Sequence, residues 1–456
     1  MRIDRHRLAA LLGAERRRFT EANGASLALF ERAKTSLHGG VPMPWMTQWA
    51  SPFPLFIEGG KGCYLRDADG HSYIDFCLGD TGALFGHSPT PVAEARAERA
   101  ADGMTFMLPN RDAIHVGEAL TARFGLPHWQ FALSATDANR FAIKIARVVT
   151  DRRRVLLFNG CYHGGLDETL ATLENGVMRA DPTNMGPGIE VAETSRMVEF
   201  NDIAAVEAAL AEGDVACVLC EPALTNCGLV FPREGFHEAL RAATRASGVM
   251  LIIDEAHSIC AGPGGGVAEY GLDPDLITLG KPVAGGVPAA VYGYSAAVGE
   301  RITAWLDGLD SFVTGIGGTL AGNALAMAAI RATLDHVMTE AAYDHMTTQA
   351  MRLEVGVAEI IAGYGLPWSV ARLGARVEYR WGGGEPANAT EALSDADPEL
   401  DRLFRLFFLN RGIMLTIFYN VALVSPATSA ADIDRHNAVF DEFCQAVTGL
   451  SYTNLR

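Results

Sequence analysis

Two residues of this chain stand where chemistry is done, Asp254 and Lys281. Val249-Met-Leu-Ile-Ile-Asp254 puts a carboxylate at the end of a short apolar run, and Leu276-Ile-Thr-Leu-Gly-Lys281 puts an amine at the end of another, 27 residues on. Runs of four to six β-branched-rich residues, apolar on both faces, read as buried parallel strands. Ligands of open α/β sheets bind outside the carboxyl ends of such strands. A strand-end Asp is ordinarily a turn or helix cap. A strand-end Lys is harder to explain structurally, because burying an ammonium is costly and desolvation is what readies an amine to form an imine. The sequence has only four lysines, and Lys34, Lys61 and Lys144 lie in helix or turn patterns where a solvated amine is the ordinary reading.

Several other chemistries are excluded. Asp254-Glu255-Ala256-His257 spells a helicase-like DEAH, but a nucleotide motor also needs Gly-x-x-x-x-Gly-Lys-Ser/Thr. Only Lys34 is followed by Thr, and Phe30-Glu-Arg-Ala-Lys34 has no glycine before it. Neither Gly262-Pro-Gly-Gly-Gly266 nor Gly315-Ile-Gly-Gly318 follows a strand and opens a helix at dinucleotide spacing. With 37 Lys+Arg against 54 Asp+Glu the net charge is −17, which argues against sequence-independent binding to nucleic acid or an anionic membrane. Cys217 and Cys220 form a CxxC inside Val-Ala-Cys-Val-Leu-Cys, where they read as strand residues, so no metal is expected. Reduced thiols and an N-terminus without an apolar signal core point to the cytoplasm. Ser311 to Ile330 is a charge-free run, but its glycines favour a buried loop leading into a helix over a membrane span.

The elements that position the two residues follow from the pattern. Apolar runs at Arg154–Phe158, Ala216–Cys220, Val249–Ile253, Leu276–Leu279 and Ala290–Tyr294 alternate with helical patterns such as Asp202–Ala211 and Arg233–Ala246. This predicts an α/β domain with a mainly parallel sheet covered on both faces. Residues 1–37 read as helix and 38–60 as extended. A hairpin follows with its turn at Asp69-Gly70. Beyond 331 long helices and a few strands, at Ser369–Trp381 and Gly412–Val424, suggest a smaller α+β unit. Gly382–Pro398 reads as a mobile loop. The expected division is 1–60 as an N-terminal segment of the small domain, 61–330 as the large domain and 331–456 as the rest of the small one.

Several ordered motifs, from Ala50 to Val447, resemble those of the class III, subgroup II aminotransferases, fold-type-I enzymes dependent on pyridoxal 5'-phosphate. Within them the chain is similar to the glutamate-1-semialdehyde aminomutase and β-amino-acid aminotransferase branch. The resemblance implies a seven-stranded, mainly parallel sheet. Ser134-Ala135-Thr136-Asp137-Ala138-Asn139 resembles the family's Ser-Gly-Thr-Glu-Ala-Asn, whose N–H groups and Thr hydroxyl hold the cofactor phosphate. Gly160-Cys161-Tyr162-His163-Gly164 resembles its Tyr-His-Gly, with Tyr162 stacked on the cofactor ring. Glu221-Pro222 matches a strand-end Glu-Pro near the ring substituents. Asp254 would keep the ring nitrogen protonated, and Ala256 replaces a valine on the other ring face. Lys281 would be the Schiff-base lysine and move the proton in catalysis. Gly318-Thr319-Leu-Ala-Gly-Asn323 resembles a segment whose threonine reaches the phosphate of a neighbouring subunit, which implies a homodimer.

The departures from the pattern bear on substrate. Leu224 replaces a Gln that bonds the cofactor's phenolic oxygen, and His257 replaces a non-ionisable residue; we expect His257 to take over that bond. After His257 the sequence Ser-Ile-Cys-Ala-Gly-Pro-Gly-Gly-Gly lacks the family's arginine. Ala135 puts a Cβ where the family has glycine, and Asp137 shortens a Glu. The usual carboxylate-binding positions are apolar here, at Trp45, Met46, Trp49, Phe76, Leu78, Phe418 and Tyr419. The expected function is therefore ping-pong transfer of an amino group from an amine or β-amino acid to a keto acid, pyruvate or 2-oxoglutarate. The alternatives are a glutamate-1-semialdehyde-type aminomutase and a cofactor-binding protein without turnover.

Overall fold

The computed structural model describes residues 3–311 and 313–450. Its central element is a seven-stranded sheet. In chain order the strands are β1 (His128–Ala132), β2 (Arg154–Phe158), β3 (Ser195–Val198), β4 (Val215–Cys220), β5 (Met250–Asp254), β6 (Leu276–Leu279) and β7 (Ala290–Tyr294). Their spatial order is β1-β7-β6-β5-β4-β2-β3. Strands β6, β5, β4, β2 and β3 pair in parallel. Strand β7 runs antiparallel to both β6 and β1, whereas its sequence reads as one more parallel strand. Residues apolar on both faces report burial on both faces, and burial is indifferent to direction.

Helix α1 (Ala135–Thr150) lies against this sheet. Ser134 caps it, its hydroxyl accepting from the Asp137 N–H. Ala138, Phe141, Ala142, Ile145, Ala146 and Val149 recur at helical spacing and are buried in one core with Leu157, Leu219 and Ile252. Burial of each large side chain contributes about 2 kcal/mol. Cys217 and Cys220 are fully buried in β4, and burial pushes both thiols up, Cys217 to about 12.

The chain forms two compact units. One comprises Thr90–Glu340 and Glu385–Ser394 and holds the large sheet. The other comprises the chain up to Pro89, Ala341–Gly384, and Asp395 onward. Residues 61–89, expected in the large domain, belong to the second unit. The hairpin Tyr64–Asp67/Ser72–Asp75 forms around the Asp69-Gly70 turn, but its second strand pairs in parallel with Ile413–Met414. That long-range pairing leaves no local trace in sequence. Residues 3–37 contain two helices, Arg5–Ala22 and Gly24–Ala33, followed by single-turn helices at His38–Gly40 and Pro44–Thr47 where extended chain was expected.

Gly382–Pro398 is a docked segment instead of a loose one. It contains the helix Ala389–Leu393, and the Asn201 side chain donates to the Ala387 carbonyl at 2.8 Å. Thr390 donates to Glu199 at 2.5 Å. No helix among the described residues is long and apolar enough to cross a membrane. In the charge-free run, Asn323 caps a helix over Ala324–His336, and Phe312 lies outside the described residues.

Candidate active site

Glu221, Asp254 and Lys281 stand at or just beyond the carboxyl ends of three adjacent parallel strands, β4, β5 and β6. This is where an open parallel sheet receives ligands. Asp254 is the last residue of β5 and is 3% exposed. Its Oδ2 accepts from His163 Nδ1 and from Asn139 Nδ2, each at 2.8 Å, and its Oδ1 accepts from the Ala256 N–H at 3.0 Å. Asn139 is itself fixed, accepting from Thr278 Oγ1 at 2.6 Å and donating to the His163 carbonyl at 3.1 Å. Burial works against the charge on Asp254, but hydrogen bonding and charge from His163, with the Ala256 and Asn139 donors, hold its pKa below the ordinary value. Burial likewise opposes a charged His163, yet Cys161 and Asp254 raise it well above the ordinary imidazole value. The result is a buried His163–Asp254 ion pair in an apolar sheet.

Lys281 sits two residues beyond β6 with φ at 46°, in the left-handed region that side chains avoid. Its Nζ meets His257 Nε2. On the other side of that ring, Nδ1 lies 2.6 Å from Thr225 Oγ1, and the Thr225 hydroxyl donates to Glu221 Oε2. Asn226 Nδ2 donates to the other Glu221 oxygen at 2.9 Å. Glu221, Thr225 and His257 are all buried. Leu224, where the family pattern suggested a Gln, is fully buried and pairs through its backbone with Val230. Glu255, next to Asp254, serves another purpose. It accepts from Ser258 and from the N–H groups of Gly266 and Val267, pinning the glycine-rich loop, and burial pushes its carboxyl up to about 7.

The surroundings fit pyridoxal phosphate. The first N–H groups of α1 lack intrahelical partners by geometry, and Ser134, Ala135 and Thr136 at that end are half-buried. Backbone approaches them closely from two sides. A Cβ at Gly280 would lie 2.9 Å from the Ala135 Cβ, and one at Gly164 would lie 2.8 Å from the Thr136 Cα. The start of α1 is thus cradled by backbone so close that side chains at 164 and 280 would collide with Thr136 and Ala135. Tyr162, between half-buried Cys161 and fully buried His163, exposes 53% of its surface. Gly164→Ala is accordingly expected to destabilise the protein by about 2 kcal/mol or more, since φ there is +96° and the new Cβ collides with Thr136. Thermal melts with and without cofactor should show the loss, together with weaker cofactor retention; an unchanged pair of melts would mean that the loop gives way freely.

Ala256 is half-buried beside Asp254, and Thr319 is exposed in the segment before the Asn323 cap. The expected substrate-pocket residues all lie in the other unit. There Trp45 and Phe418 are each 39% exposed with ring centroids 5.9 Å apart, and Tyr419 neighbours Phe418 at 6.2 Å. Met46 and Trp49 are half-buried. Phe76 and Leu78 are fully buried, Phe76 edge-on to His436 at 5.2 Å, so these two are core groups. Sequence reasoning gave no role to a guanidinium here, yet Arg376, fully buried and paired with Glu378 at 2.7 Å, lies 5.7 Å over the Tyr419 ring. It also gave none to His163, Asn139, Thr225 or Thr278. His163 and Asn139 lie inside the two quoted motifs, which is the signal that could have found them.

Sheet, strand-end residues and cradle together define a fold-type-I, pyridoxal-phosphate-dependent enzyme. The chain belongs to the class III aminotransferases, whose sequence profile, described as aminotransferase class-III, matches residues 45–377. It is 36% identical over 419 residues to a glutamate-1-semialdehyde 2,1-aminomutase of Sorangium cellulosum, covering 90% of this chain and 94% of the relative. Among solved structures it resembles a glutamate-1-semialdehyde aminomutase from Pseudomonas aeruginosa, at a TM-score of 0.96 and 44% identity over 98% of this chain and 99% of that one. A lysine-to-alanine variant of that enzyme has been solved in complex with PMP. A β-phenylalanine aminotransferase from Variovorax paradoxus matches at a TM-score of 0.85 and 27% identity, over 96% of this chain and 97% of that one.

Proposed function

We propose that the enzyme is an aminomutase of the glutamate-1-semialdehyde type, exchanging an amino and a carbonyl group on adjacent carbons of one substrate. The observation that carries this reading is the likeness to the Pseudomonas aeruginosa aminomutase, at 44% identity over 98% of the chain. It displaces the intermolecular aminotransferase expected from sequence into second place. In this reading Ser134, Ala135 and Thr136 hold the cofactor phosphate, Tyr162 and Ala256 flank the ring, and Glu221 and His257 face its substituents. Thr319 serves the site of a second copy, so the working unit is a homodimer. Bound pyridoxal phosphate supplies an electron sink for the carbon that carries the amine. Asp254, kept ionised by His163 and Asn139, holds a proton on the ring nitrogen. The Lys281 amine takes a proton from one carbon and returns it at another. Eight free thiols suit a cytoplasmic setting.

A mutase needs no second substrate, and that supplies the test. Given glutamate-1-semialdehyde and no other amino donor or acceptor, the holoenzyme should convert it through many turnovers to the isomer with the amine on the terminal carbon. Conversion that stops near one equivalent per site would reject the mutase. The second reading, transfer from an amine or β-amino acid to pyruvate or 2-oxoglutarate, is favoured by the exposed Trp45–Phe418 pair and by the missing arginine after His257. Its mark is release of a ketone from such a donor, with the cofactor left in its amine form.

A further inference from the structure

Between the strand-end carboxylate of Glu221 and the amine of Lys281 runs an unbroken hydrogen-bonded chain. Glu221 Oε2 accepts from the Thr225 hydroxyl, Thr225 Oγ1 lies 2.6 Å from His257 Nδ1, and His257 Nε2 meets Lys281 Nζ. The polarity of this chain follows from its end. A carboxylate only accepts, so the single Thr225 proton points at Glu221 and Thr225 accepts from the ring. His257 Nδ1 therefore carries hydrogen, and Nε2 turns its lone pair to Lys281.

We propose that Glu221, Thr225 and His257 are positioning residues forming a proton relay for Lys281. When Lys281 Nζ gives up a proton, His257 Nε2 takes it. Nδ1–H passes its proton to Thr225 Oγ, and the Thr225 hydroxyl proton moves to Glu221. His257 and Thr225 each end with one bond to hydrogen broken and one formed; Lys281 has lost one, and the Glu221 carboxylate has gained one and with it been neutralised. Return of the proton reverses every step. The relay serves either reaction considered above, because both need a lysine amine that gives and takes a proton, and so it does not depend on which of them holds.

The charged and titratable groups that face His257 include both ends of this path. From the loop after β4 it is faced by Glu221, whose Oε2 is 4.0 Å from Nδ1, and from the turn after β6 by Lys281. On its own segment Asp254 is turned to His163 and Asn139, and Glu255 to Ser258 and the backbone of Gly266 and Val267. Cys260 is a buried thiol.

Thr225→Val keeps the size of the side chain and removes the hydroxyl, freeing His257 to turn an N–H toward Lys281. The readout is the pH titration of the bound cofactor's visible absorbance in the holoenzyme, which reports the proton on Lys281 Nζ without turnover. Losing its acceptor disfavours that proton, so the midpoint should fall by about one pH unit, the order expected for one charge-assisted hydrogen bond. Thr225→Ser should restore it, and in single turnovers Thr225→Val should lower kcat about tenfold with little change in KM. If Thr225→Val does not retain cofactor, Glu221→Gln carries the same test and should move the midpoint the same way. A midpoint unchanged in the cofactor-loaded variant, or one that Thr225→Ser fails to restore, would overturn the relay.

Discussion

Lys281→Ala and Lys281→Gly should both lose at least about 10,000-fold in turnover, and the glycine variant should be the more stable of the two by about 1 kcal/mol. The first half follows from placement. Lys281 is the lysine beyond the carboxyl end of a buried strand, with its amine on the His257 ring, and neither replacement offers an amine. The second half follows from backbone. At φ 46° an L-residue brings its Cβ against the following carbonyl, a cost that glycine escapes. Comparing Ala with Gly, both without cofactor, isolates this backbone effect, because both have lost the Nζ contact. Chemical denaturation of the two cofactor-free proteins measures it, and single-turnover kinetics measures the other. Equal stabilities would mean that the turn relaxes at no cost, and residual turnover in either variant would take the proton-moving role from Lys281.

The strained lysine also shows where the sequence could be read and where it could not. Asp254 and Lys281 were legible because each closes an apolar run, and strand ends are local features. The cradle was legible through Ser134–Asn139 and Gly160–Gly164, whose glycines and small polar residues mark a backbone under close approach. What pairs across the fold was not legible. His163 reaches Asp254 over 91 positions and Asn139 reaches it over 115. Thr225 in sequence is an unremarkable residue after Leu224, and only the folding of β4 beside β5 brings it to His257. That the two nitrogens of His257 meet Lys281 and Thr225 was hidden in the same way. The direction of β7 and the allegiance of residues 61–89 were hidden for the same reason. Strand β1 was missed because, at the sheet edge, its residues alternate between exposed and half-buried and form no apolar run.

Asp254→Asn should lower kcat about a thousandfold and destabilise the protein by about 3 kcal/mol at neutral pH, the order of breaking a buried ion pair from one side. An amide cannot balance a proton on the ring nitrogen, and it leaves His163 charged and buried without its counter-ion. The pH dependence of the stability loss is the sharper test. The folded pKa of Asp254 is depressed, since the His163 hydrogen bond and charge outweigh burial, so its contribution is present above the ordinary carboxylate range and is lost as pH falls through the depressed value. The folded pKa of His163 is raised, with Cys161 and Asp254 outweighing burial, so its contribution is complete below the ordinary imidazole value and is lost as pH rises through the raised one. The difference in unfolding free energy between wild type and Asp254→Asn, both without cofactor, should therefore be a plateau between the ordinary carboxylate and the ordinary imidazole ranges that shrinks as pH moves beyond either. A difference that stays flat through both ends would mean that the pair is not ionised in the fold. On the proposed reading, the Asp254 carboxylate would then have to be charged by the cofactor itself.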